Sequence, residues 1–209
     1  MLRAIVAALL FTTVHVCSPG PLQAEELSRK TISIRDAYAT YYAYKQWAAT
    51  KGTDVGALLD YQVAIQQSTD TYVIQFMHLS QRKSVDRSAT YSVDKRTNTV
   101  SELAAAQIAP TVVASSNLSL ALSGEETAGV VASLAVRETL PDERRPARSP
   151  DSTALIFIEP NDAFLQLIDF EPINRNRREG IVALGCVGEE LYRVSRSTFV
   201  ATRMPDCFH

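Results

Sequence analysis

The sequence predicts an α+β protein in which a helix packs across an antiparallel meander sheet, with that arrangement occurring twice. Three observations predict it. Ser33 and Ser123 each open a segment of helical apolar period. Each segment is followed by two β-rich runs around an Asp-bearing turn. A Tyr-x-Val run then comes in each half, at Tyr91-Ser92-Val93 and Tyr192-Arg193-Val194.

The first helix begins at Ser33-Ile34-Arg35-Asp36. This is a capping box: the serine hydroxyl takes one free backbone N–H and the acid three residues on takes another. The helix runs from about Ile34 to Thr50 and stops at Gly52, with Ile34, Ala37, Tyr38, Tyr41, Tyr44 and Ala48 on one broad face. The second begins at Ser123-Gly124-Glu125-Glu126 and runs to about Leu140, where Pro141 ends it. Val130, Val131 and Leu134 form its buried stripe.

The strands follow from β-rich runs bounded by turn residues. Tyr61–Gln66 leads through Ser68-Thr69-Asp70 into Tyr72–Phe76, and Ala154–Ile158 leads through Pro160-Asn161-Asp162 into Phe164–Ile168. Thr90–Lys95 and Leu191–Arg196 supply the third strand of each half, and Thr99-Val100 and Phe199-Val200 a short last one. Gly180–Gly185 is an additional strand-like piece in the second half.

The ends and the joins set the domain organisation. Met1-Leu2-Arg3, the apolar run Ala4–Val14 and Leu22-Gln23-Ala24 have the layout of a secretory leader cut after Ala24. The run is shorter than the roughly 20 residues that span a bilayer as a helix, and no later stretch is longer. The divisions expected are therefore a leader over 1–24, a first half over 25–102, a connector over 103–122 and a second half over 123–209. The connector reads as a linker or in part as a strand, and Asp142–Pro150 as a charged surface loop. The expected location is periplasmic or secreted.

Export governs how the cysteines are read. Cys17 leaves with the leader, and Cys186 with Cys207 form one disulfide. In the chain-entropy picture such a bridge contributes about 3 kcal/mol. No metal site and no cofactor is expected, since the remaining histidines, His78 and His209, are far apart in sequence. A formal net charge of −2 excludes the basic field that nucleic acid requires.

Over Ser33–Glu102 the chain resembles the cystatin-like and NTF2-like group. The resemblance rests on the helix, the Tyr61–Phe76 hairpin and the ending Tyr91-Ser92-Val93-Asp94-Lys95-Arg96-Thr97-Asn98-Thr99-Val100. That ending is similar to those of NTF2-fold immunity proteins and PepSY-type envelope domains, with Asn98 where a glycine is usual. The resemblance implies binding or inhibition rather than catalysis, and assigns no residue a role.

No catalytic residue is expected. His78 reads as a strand-end residue, Glu125/Glu126 as a helix cap and Glu189/Glu190 as part of a turn beside Cys186. Two surfaces are candidates for binding a secreted or periplasmic protein partner. One is the aromatic helix face with Tyr42 and Trp47, where Trp47 lies about 120° from the centre of the apolar stripe at 100° per residue. It is either a half-exposed anchor of the kind hot spots use or a ring covering the sheet. The other is a pair of basic loops, with Arg82, Lys83 and Arg87 in one half and Arg175, Arg177 and Arg178 in the other. These would steer an acidic partner, protein or envelope polymer. The expected function is thus an exported, non-enzymatic inhibitor or immunity protein. The alternative is a small-ligand or envelope-polymer binding module.

Overall fold

A computed structural model describes residues 28–80, 88–104, 120–141, 152–168 and 190–205. The leader, the six basic residues Arg82, Lys83, Arg87, Arg175, Arg177 and Arg178, both cysteines of the expected disulfide (Cys186 and Cys207) and the Gly180–Gly185 run lie outside them.

The described residues open with β1 (Ser28–Ser33), which passes directly into α1 (Ile34–Lys51). A 3-10 turn (Val55–Asp60) leads to β2 (Tyr61–Gln67), β3 (Thr71–His78), β4 (Ala89–Asp94) and β5 (Val100–Glu102). The same order then recurs: β6 (Leu120–Leu122), α2 (Gly124–Thr139), β7 (Thr153–Ile158), β8 (Asp162–Ile168), β9 (Glu190–Ser195) and β10 (Ala201–Arg203). The protein is α+β, and among the described residues two antiparallel five-stranded sheets are ordered β1-β7-β8-β9-β10 and β5-β4-β3-β2-β6.

The strand orders show a reciprocal exchange. β1 leads into α1 but pairs with β7 of the other half, from Ser28 opposite Ile158 to Ser33 opposite Thr153. β6 leads into α2 but pairs with β2, with Leu120 opposite Ile65 and Leu122 opposite Val63. No strand was expected at Ser28–Ser33, and Leu120–Leu122 falls at the end of the connector read as a linker or in part as a strand. Ser28–Ser33 has Ile32 as its one apolar residue, so the period-2 signal of a half-buried strand is missing. Leu120–Leu122 is three residues long and ends the stretch read as a connector.

Local chemistry explains both helices. Ser33 accepts from the Asp36 N–H at 3.0 Å, and Gly52 ends α1 in the left-handed region (φ 63°), its N–H bonded to the Ala48 carbonyl at 2.8 Å. In α2 the box is complete: Ser123 N–H donates to Glu126 at 2.7 Å while Glu126 N–H donates to the Ser123 hydroxyl at 3.2 Å. The first box is only half made. Asp36 is one methylene shorter than Glu126, and its carboxylate instead accepts from the Gln67 amide at 2.7 Å.

The β-turns repeat as well. Lys95 N–H bonds the Asp70 carbonyl and Asn98 N–H the Asp94 carbonyl; Arg196 N–H bonds Asn161 and Phe199 N–H bonds Ser195 in the same pattern. Asn98 (φ 56°) and Phe199 (φ 54°) occupy matching left-handed positions. Asparagine tolerates that region; phenylalanine does so at a cost of about 1–3 kcal/mol.

α1 packs on β3 and β4, α2 packs across β7–β10, and the helices touch each other. One continuous apolar cluster therefore includes Ile32, Trp47, Phe76, Leu122, Leu134, Ile156 and Leu165. Trp47 corrects the expectation of a half-exposed anchor: it is 0 % exposed, stacked on Phe76 with centroids 5.1 Å apart and edge-on to Tyr61 at 5.0 Å. The helical-wheel angle holds, but α1 has a sheet on one side and α2 on another, so its buried arc exceeds a single stripe.

A close backbone approach joins α2 to the 3-10 turn at Gly124. A Cβ on Gly124 would lie 2.2 Å from the Leu58 carbonyl oxygen and 2.8 Å from Leu59 Cα, both backbone atoms that cannot swing away. Gly124→Ala should therefore destabilise by about 3 kcal/mol, at the upper end of ordinary overpacking. At Gly129 the nearest atom is the Ala163 methyl at 3.4 Å. There the helical preference for alanine, about 1 kcal/mol, should leave Gly129→Ala neutral or slightly stabilising. Urea denaturation midpoints of the two variants check both expectations.

Candidate functional site

The seam between α1 and the last turn of α2 gathers a cluster of polar aromatic and charged side chains. Tyr38, Tyr41 and Lys45 recur at helical spacing on α1, which brings them to one face. Arg137 and Glu138 lie opposite on α2, and Glu190 and Tyr192 rise from β9.

Two networks form there. Arg137 Nε donates to Glu190 Oε2 at 2.9 Å and Nη2 to Oε1 at 3.4 Å. Tyr192 OH donates to the same carboxylate at 2.6 Å, and Arg137 Nη1 donates to the Tyr38 hydroxyl oxygen. Glu190 is 1 % exposed, so this pair sits in the interior. Toward solvent, Tyr41 OH donates to Glu138 Oε2 at 2.8 Å, and Lys45 Nζ reaches the same oxygen at 3.3 Å while lying 5.2 Å from the Tyr41 ring centroid. Tyr42 closes the patch, its ring 5.9 Å from Tyr38 and 5.7 Å from Tyr41.

Electrostatics keep these phenols neutral. Burial raises the Tyr41 and Tyr192 hydroxyls well above the usual tyrosine value, and their bonds to Glu138 and Glu190 raise them further. Burial likewise raises Tyr38 and Tyr42. Burial opposes the charge on Arg137, but the Glu190 carboxylate and the Tyr38 hydroxyl together outweigh it and hold the guanidinium charged. The seam thus presents phenol donors and rings in fixed orientations.

The two halves differ most here. Trp47 and Arg137 lie the same distance beyond their N-caps, Ser33 and Ser123, and Tyr91 and Tyr192 occupy the same place in β4 and β9. In the first half the position carries an indole stacked on Phe76; in the second it carries a guanidinium paired with Glu190. Sequence reasoning missed Arg137 and Glu190. The signal was the shared offset of Trp47 and Arg137 from their caps. Glu190 is not in a turn, as expected, but opens β9.

A second polar region is a shallow concavity of about 470 Å³ at the β7–β8 turn, lined by Glu125, Asn161, Asp162, Arg193, Ser195 and Arg196. Its charges are mutually engaged. Arg193 pairs with Asp162 at 2.7 Å. Arg196 pairs with Glu125 at 2.6 Å and donates to the Glu159 and Pro160 carbonyls at 2.8 Å. Among the described residues no group of three or more His, Cys, Asp or Glu is placed to hold a metal ion.

Of the expected partner-binding residues, the structure places Tyr42 half-buried at the seam and Trp47 in the core. His78 ends β3, its Nδ1 accepting from the Ser80 N–H at 3.0 Å and its ring edge-on to Tyr61. Among the described residues no helix is long and apolar enough to cross a membrane.

Breaking the buried pair from one side strands a charge. Arg137→Met or Glu190→Leu alone should cost about 3–5 kcal/mol, while the double variant should recover most of it. A double-mutant cycle on denaturation free energies checks this. Stability should also fall in alkali. Burial, aided by the Asp54 charge, pushes Tyr44 up to about 12, whereas an unfolded tyrosine ionises near 10. The contribution is complete below pH ~10 and is lost as pH rises from there toward about 12, because the unfolded chain releases its proton first. Tyrosinate absorbance should then appear together with unfolding; smooth titration of a folded chain from pH ~10 would contradict it.

No family model, curated protein or solved structure matches this chain.

Proposed function

We propose that this is an exported, non-enzymatic binding protein that acts on a secreted or periplasmic protein partner as an inhibitor or immunity protein. The observation that carries the reading is the α1–α2 seam. Tyr38 and Tyr42 stand half-buried there, with rings in contact and Arg137 and Glu138 behind them. A braced tyrosine patch offers large contact area at low conformational entropy, as interface hot spots do. The paired charges support binding over catalysis, because interior Arg137 with Glu190, and half-buried Lys30 with Glu126, are engaged in pairs that hold elements together. Export rests on the layout of residues 1–24, and the Cys186–Cys207 bridge follows from it.

The fold belongs to the same proposal. The two halves descend from one β-α-four-strand unit of cystatin-like or NTF2-like type. A helix lying across a four-strand meander supports this, as do the matched caps, turn bonds and left-handed residues at Asn98 and Phe199.

A second reading, binding of a small ligand or envelope polymer, is favoured by the concavity between Glu125 and Arg193. A ligand there would have to displace the Arg193–Asp162 pair or complement it. Affinity capture from secreted and periplasmic fractions with the chain from Glu25 distinguishes the two. One stoichiometric partner, bound roughly thirtyfold more weakly by the Tyr42→Ala variant, supports the inhibitor reading, since a hot-spot truncation costs about 2 kcal/mol. Recovery of the protein alone, with thermal stabilisation by an anionic oligosaccharide that Arg193→Ala abolishes, moves the function to the concavity.

A further inference from the structure

We propose that this chain accepts a second copy of itself as a partner by exchanging halves, so that β1 of one copy completes β7 of the other while β6 completes β2. The inference stands apart from the binding reading above and rests on where the contacts between halves lie. The edge of β7 is covered by β1 over the six pairs from Ser28↔Ile158 to Ser33↔Thr153, and the edge of β2 by β6 from Leu120↔Ile65 to Leu122↔Val63.

The remaining contacts also bridge halves. Lys30 Nζ reaches the Ala121 carbonyl at 2.6 Å and Glu126 at 2.7 Å, Tyr41 reaches Glu138, and the N-terminus of α2 sits on Leu58. Each of these contacts can form between two chains as it forms within one, with no new surface needed. A half alone would leave its sheet edge unpaired and Ile32 or Leu122 without the core they enter. The halves are thus complementary surfaces that happen to share a chain, which is the condition for swapping.

The join between them sets the balance. β5 and β6 lie at opposite edges of one sheet, about 19 Å apart along it at four strand spacings. The residues between Glu102 and Leu120 span that distance in one chain. A join of this length, residues 103–119, holds the halves at an effective concentration of the order of 1 mM. The closed monomer therefore prevails in dilute solution, and the exchanged dimer forms when chains fold near that concentration.

Shortening the join tests this on the whole protein. Deleting residues 105–118 leaves Leu103, Ala104 and Ser119, which reach about 14 Å when extended. The variant should fold as a dimer of twice the chain mass with the circular dichroism of the parent; a folded monomer overturns the proposal. Should the variant be insoluble, the parent decides. Labelled and unlabelled chains are refolded together at about 2 mM, above the expected effective concentration. A dimer with intermolecular NOEs between Ile32 and Ala154, which face each other across β1 and β7, supports exchange. Monomer only, or a dimer without those NOEs, overturns it.

Discussion

The pairing of β1 with β7 and of β6 with β2 is the constraint on which the rest of this structure depends. Each strand leads directly into a helix, so its position also sets where that helix starts: Ser33 is at once the end of β1 and the N-cap of α1, and Ser123, the N-cap of α2, follows β6 immediately. With the first strand held in the opposite sheet, α1 and α2 are drawn across each other and both sheets close over one apolar cluster. The Lys30–Glu126 bridge lies where the exchanged strand meets the opposite cap, which ties the two anchor points directly. Neither sheet is complete without a strand from the other half, so folding cannot be divided between them.

Within that frame the matched positions 47 and 137 take opposite chemical solutions. Trp47 gains from burying its whole ring among Tyr44, Tyr61 and Phe76. Arg137 must be desolvated, and Glu190, Tyr192 and Tyr38 together offset that loss with charge-assisted hydrogen bonds. A buried pair of this sort is weak evidence for stability. What it does supply is orientation: the guanidinium fork fixes Tyr38, whose ring abuts Tyr42. The polar half of the core and the tyrosine face of α1 are therefore one mechanical unit.

Much of the local structure is legible in the sequence because its causes are local. Serine followed three residues later by an acid marks both helix starts, Gly52 and Pro141 mark the ends, and Asp-bearing turns separate β-rich runs. The first box was expected complete, but Asp36 is too short to close it and accepts from Gln67 instead. The site was legible only in part. Tyr42 stands in an evident aromatic cluster, whereas Glu190 lies 53 positions from Arg137 along the chain, and nothing in a run of Glu-Glu distinguishes a solvated turn from a buried strand start.

By itself the sequence determined the helices, the hairpins and their recurrence, since hydrogen-bond caps, turn propensities and periodicity act over a few neighbouring residues. Only the tertiary structure decided which sheet β1 and β6 join, that Trp47 is interior, and that Arg137 meets Glu190. Those outcomes depend on which surfaces meet across long separations. A short strand such as Leu120–Leu122 or a nearly polar one such as Ser28–Ser33 carries no pattern of its own to announce its partner.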